Sequence, residues 1–200
     1  MALYAGPGVH AEDLVTRVLP LAIHVVEQDG KPIADESFLR ARVERANEIF
    51  APYRIGFVTQ QRLPLNASHA HLSSRADRDA LADHVRPKVI NCFVVGSLRD
   101  VDEPARMRRG VHWHAASRPG AHFVIISLLG DRDVFSHELG HFLGNPSHSE
   151  TPGNLMSYTR GSMLPFLDAA QRARMERRLR GYFKRGELEP VEAAPKTGAL

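Results

Sequence analysis

The sequence predicts an α+β domain built on a mixed, twisted sheet with helices packed against it. Three observations predict this. Near the start an apolar run of strand length leads into an amphipathic helical stretch and then a second apolar run. Further strand-like runs follow, and two helical stretches close the chain. The length of 200 residues, with 43% hydrophobic and 24% charged, suits one core and excludes wholesale disorder and collagen-like repeats.

Residues 1–18 read as a lead-in containing Gly and Pro, 19–185 as the body of the domain, and 186–200 as a loose tail with Pro190, Pro195 and few apolar anchors. Within the body, 21–26 read as a strand closed by a turn over 28–32. Residues 35–53 read as a helix, because Phe38, Val43 or Ala46, Ile49 and Phe50 recur at three-to-four spacing, and Pro52 marks its end. A second strand is expected at 55–59, a polar loop at 63–74, and a short helix over 77–85 stopped by Pro87. Residues 88–95 form a third strand apolar on both faces, followed by a charged loop over 99–109. The weak alternation at 111–114 suits an edge strand, and 122–127 suits a buried one. Helices are expected from 134 to 143 and from 168 to 183.

Several classes are excluded early. The longest apolar run, 123–129, is far too short for a bilayer span. The first eight residues lack the basic-then-apolar pattern of a Sec-type signal, which makes the cytoplasm the default expectation; export without a signal would look the same. The one cysteine, Cys92, cannot form an internal disulfide and is expected in the core. Formal net charge is +3, and the last helix carries Arg172, Arg174, Arg177, Arg178, Arg180, Lys184 and Arg185 against Glu176. Met175, Leu179 and Tyr182 form its apolar stripe, so the arginines read as a solvated face rather than a nucleic-acid surface.

The informative stretch is His137-Glu138-x-x-His141. On a helix, residues four apart share a face, so two imidazoles can reach one ion while Glu138 reaches a water on it. Gly144 is suited to the left-handed turn that ends a helix, and Pro146 prevents resumption. His148 then supplies a third nitrogen. Three protein ligands with one vacant place is the shell of a catalytic rather than a structural zinc.

This arrangement resembles the signature of the metzincin metallopeptidases, with His137, Glu138, His141 and Gly144 in register. It departs from that pattern by placing three residues, Asn145, Pro146 and Ser147, where the family has two. Register alone would point to Ser147. The step from His148 to Met156 is similar to the matrixin segment from third histidine to Met-turn, so a one-residue bulge is expected before His148. Tyr158 resembles the Met-x-Tyr tyrosine of astacins and serralysins, and 167–175 is similar to the start of the C-terminal helix of bacterial metzincin domains.

The resemblance implies a zincin/metzincin-like fold and a zinc-dependent endopeptidase holding one Zn2+. In it Glu138 acts as general base, Met156 lies beneath the ligands and Tyr158 helps at the reacting carbonyl or only walls the site. An extended peptide would pair with an edge strand over 110–116. Two rival readings are a zincin whose third ligand is Glu176 and a zinc-holding module that cuts nothing. His69, His71, His112, His114 and His122 are weighed as a second metal site and set aside in favour of solvated histidines. Asp131 and Asp133 are expected to cap the helix that follows or to favour its positive end, with calcium the lesser alternative. Glu12 or Asp13 could approach the zinc from the lead-in.

Overall fold

The structure, a computed structural model, describes residues 17–161 and 163–191. Glu12, Asp13 and the end of the expected tail (192–200) lie outside the described residues.

Strand β1 (Arg17–Gln28) forms the middle of the sheet and turns at Asp29–Gly30 into the two-residue β2 (Lys31–Pro32). Helix α1 (Glu36–Phe50) starts where the Asp35 carboxylate accepts the Phe38 N–H at 2.7 Å. Its buried face is Leu39, Ala46, Ile49 and Phe50. Pro52 and the left-handed Arg54 (φ 63°) convert its end into one 3-10 turn. Strand β3 (Ile55–Leu65) runs longer than expected, because pairing to β1 along its length overrides the polar composition of 59–62. The expected loop over 63–74 therefore holds the end of β3, a 3-10 turn and the short β4 (His71–Leu72).

Helix α2 (Arg75–Ala80) has a capping box between Ser74 and Asp77. Strand β5 (Ile90–Val95) is buried at every residue. Short strands β6 (Ser97–Arg99) and β7 (Met107–Arg108) bracket the charged loop. Strands β8 (Gly110–His114) and β9 (His122–Ser127) form an antiparallel hairpin. Helices α3 (Val134–Phe142) and α4 (Ala169–Arg185) complete the order.

Among the described residues the main sheet runs β3-β1-β5-β9-β8, parallel except for β8, with β2 added antiparallel to the end of β1. A small sheet, β4-β6-β7, covers its second face with the 3-10 turn at Leu81–His84. The larger core lies between the first face and α1, α3 and α4. Cys92 sits in that core.

Two expectations need correction. Residues 187–191 are docked, not loose: Leu188 is buried, and Val191 bridges to Val18. Asp133 occupies the position before α3 without capping it, because its carboxylate is held by Arg45 Nε at 2.6 Å. Asp131 faces Arg109 and Arg160. Both carboxylates thus face guanidinium groups, and Asp131 Oδ1 also accepts the Asp133 N–H at 2.9 Å. Among the described residues no helix is long and apolar enough to cross a membrane.

Candidate metal centre

Helix α3 is buried along almost its whole length, which fixes how His137 and His141 point. One turn separates them, and their ring centroids are 4.8 Å apart. The chain leaves the helix at Gly144, whose φ of 101° is open to glycine and strained for other residues. A Cβ there would also stand 3.0 Å from Arg178 Cβ, so α4 packs where only glycine fits. After this turn His148 returns to the helix, its ring 5.3 Å from His137 and 4.9 Å from His141. His148 rather than Ser147 therefore joins the other two imidazoles.

The three imidazoles present one ligand atom each within 4.8 Å of one another. His137 Nδ1–H donates to the Leu155 carbonyl and His141 Nδ1–H to the Asn145 carbonyl, each at 2.7 Å. These bonds fix the tautomers and leave both Nε2 lone pairs facing the cleft. His141 Nε2 and His148 Nε2 stand 3.3 Å apart. Two nitrogens bound tetrahedrally at roughly 2.0–2.1 Å lie about 3.3 Å apart, so the spacing suits a zinc-sized ion. Burial holds His137 down at about 4, and it lowers His141 and His148 as well. The rings are thus neutral and free to ligate near neutral pH.

Glu138 lies beside this cluster, almost fully buried, and desolvation pushes its carboxyl up to about 8. The backbone N–H of His112 donates to it from β8. A Cβ on Gly110 would come within 2.9 Å of Glu138 Cγ, so this glycine is what lets the strand approach.

Met156 lies fully buried under the helix, at Gly140, where a Cβ would come 2.5 Å from its sulfur. The Ser149 N–H donates to the Met156 carbonyl at 3.0 Å, which ties the His148 segment to the methionine turn. Asn154 braces that turn by accepting the Met156 N–H at 2.9 Å and by pairing with Gln171 of α4. Tyr158 is 64% exposed and stacks on His148 with centroids 4.3 Å apart. Its hydroxyl also meets Arg108.

Sequence reading missed Gly110, Gly140, Asn145 and Asn154 as supports of the site. The small x residue of the His-Glu-x-x-His motif was a usable signal for Gly140; Asn145 and Asn154 had none. Glu176 is excluded as a ligand, since it pairs with Arg17 at 3.0 Å. His69 packs on His84, and His71 bonds to Ser97 Oγ at 2.9 Å. His112, His114 and His122, expected as solvated residues, instead form a second cluster of converging imidazoles.

All three primary histidines, Glu138 and Tyr158 line a cleft of about 960 Å³ whose upper wall is β8. Metalloproteinase-II of Bacteroides fragilis shares this fold with a TM-score of 0.55 and 15% identity. The match covers 81% of this chain and 53% of that one, so this chain spans about half that protein's length. Mature mirolysin of Tannerella forsythia, solved with a cleaved peptide, superposes with a TM-score of 0.58 and 13% identity over 87% of this chain and 99% of that one. The fold is that of the metzincin-type zincins. No protein-family model matches the sequence, and no curated protein does. Within the metzincin fold, the solvated face of α4 agrees with expectation: Gln171, Met175, Leu179 and Tyr182 point inward.

Proposed function

We propose that this chain is a zinc-dependent endopeptidase that takes extended peptides along the edge of its sheet. The observation that carries the reading is the convergence of three neutral imidazoles beside a buried carboxylate, in a cleft roofed by an edge strand. The donor set is all nitrogen, which suits zinc rather than calcium or magnesium. A zinc ion held there would supply a Lewis acid and a water acidic enough to react near neutral pH.

The remaining steps belong to the chain's own residues. Burial alone would keep Glu138 protonated near neutral pH, but the positive charge of an ion held by the three histidines would favour its ionised form, and that carboxylate would then accept the proton of the attacking water. It then returns that proton to the departing amine. The N–H of His112 and the packing of Gly110 hold that carboxylate in one orientation. Tyr158, stacked on His148, offers its hydroxyl to the developing oxyanion. Strand β8 pairs with β9 on one side, and its other edge offers main-chain groups to a substrate.

The deciding experiment is cleavage of a fluorogenic peptide library with and without a chelator, repeated on Glu138→Gln. Activity that disappears with the chelator and returns with zinc is expected. The variant should keep its metal and lose turnover by at least about 100-fold, within the range general-base catalysis supplies. A metal-loaded protein that cuts no peptide would leave a zinc-holding binding module instead.

A further inference from the structure

We propose that His112, His114 and His122 form a second transition-metal site, of the zinc class, on the helix-facing side of the β8–β9 hairpin. The pleat places the donors. His112 and His114 are two apart on β8 and so share a face, while the antiparallel register sets His122 of β9 directly opposite His114. The neighbours of opposite parity, Val111 and Trp113, pack into the second core. All three imidazoles therefore project toward α3 and α4.

Their ligand atoms lie within 4.8 Å of one another. His112 Nε2 and His122 Nδ1 are 2.9 Å apart, with one proton shared between them. Moving that proton to the outer nitrogen of its ring turns both atoms into lone-pair donors. Separation to about 3.3 Å, the tetrahedral value, needs a shift of a few tenths of an ångström. The ring nitrogens of His114 have no hydrogen-bond partner among the described residues, and its ring stacks on His122 at 5.1 Å. Phe142 and Tyr182 floor the cluster, their ring centroids 4.4 Å and 5.4 Å from that of His122.

Imidazoles alone select zinc and its neighbours over the hard cations. Arg178 brings positive charge to the rim, and Glu187 brings negative charge close to His122, itself held by Arg185 Nε at 2.6 Å. Such an ion would clamp the edge strand to β9, leaving a fourth coordination place toward the cleft. This inference does not depend on peptide cleavage, since the two clusters share no ligand.

The test is zinc stoichiometry on the full chain after chelator stripping, reloading and dialysis, read by elemental analysis. The intact protein should hold two equivalents; His114→Ala and His122→Asn should each hold one, as should His141→Ala. His114 is exposed, so its replacement leaves the core intact. Cobalt substitution gives a second reading: His141→Ala should keep a visible ligand-field spectrum that His141→Ala/His114→Ala lacks. An intact protein that holds only one equivalent, with none left in His141→Ala, overturns the second site and leaves the first standing. Two equivalents that both survive His114→Ala and His122→Asn overturn it too. Retention of one ion in His141→Ala that His114→Ala removes supports it, whether or not the protein cuts peptides.

Discussion

Gly140→Ala tests whether the methionine turn is what holds the metal helix in place. An added Cβ would stand 2.5 Å from Met156 Sδ and 3.4 Å from its Cε. Ordinary contact between such atoms is about 3.5–4.0 Å, so the sulfur must retreat by roughly 1 Å. Met156 is fully buried and cannot swing into solvent. Alanine in a helix favours stability by about 1 kcal/mol over glycine, while overpacking a tight core costs about 1–3 kcal/mol. A net loss of roughly 1 kcal/mol is expected. The retreat also moves Leu155, whose carbonyl fixes the His137 tautomer at 2.7 Å, so zinc affinity should fall by at least about tenfold. Urea unfolding and zinc titration of Gly140→Ala, Met156→Ala and the double variant form the cycle. Met156→Ala alone should cost about 2–5 kcal/mol, and adding Gly140→Ala to it should cost nothing further. Additive losses, or a Gly140→Ala protein as stable as the parent, would refute the packing argument.

Three other expectations follow from the site and the core. Tyr158→Phe should lower kcat while leaving KM almost unchanged; a change confined to KM would place this side chain in substrate binding. His24 is buried against Phe93 and Asn91, and desolvation holds it down at about 4 from an ordinary 6.5. The unfolded chain binds the extra proton between those values, so this stability is full above pH 6.5 and falls as pH drops toward 4, by about 3 kcal/mol. In His24→Phe the urea midpoint should lose correspondingly less over that range, and an unchanged slope would sink the assignment. The cleft lining includes Arg75, Arg78, Arg106, Arg108, Arg109 and Arg178. Cleavage of acidic peptides should therefore fall with added salt more steeply than cleavage of neutral ones, measured as kcat/KM.

The converging imidazoles were legible in the sequence because helical geometry alone puts 137 and 141 on one face, and a glycine followed by a proline announces the turn. The strand order was less legible: β3 extends to Leu65 because its partner β1 supplies the ladder, which local polarity at 59–62 does not record. The carbonyls that orient the imidazoles were invisible. Any residue can offer a carbonyl, so nothing marked Leu155 or Asn145 for that task. The docked segment at 187–191 was misjudged for a similar reason, since one apolar residue, Leu188, three backbone bonds and the Lys88–Glu189 ion pair hold it. His112 and His114 could be read as sharing a face, but their meeting with His122 required the register of β8 on β9.

That register also explains how one short strand serves several ends without conflict. The inner backbone edge of β8 is committed to β9, and the N–H of His112 turns to Glu138. Its odd-numbered side chains, Val111 and Trp113, are taken by the second core, where Trp113 Nε1 is anchored on Asp79 at 2.7 Å. Its even-numbered side chains gather over α3, where Gly110 makes room for the carboxylate, His112 stands against Phe142 and His114 against His112. With one edge paired to β9 and Val111 and Trp113 packed on the second core, the strand is held along its length. A strand so fixed presents its remaining edge with little ordering cost left to meet on binding. Pairing of β8 with β9 and placement of Glu138 are therefore one property of the hairpin, because the strand whose outer edge is open also packs Gly110 against Glu138.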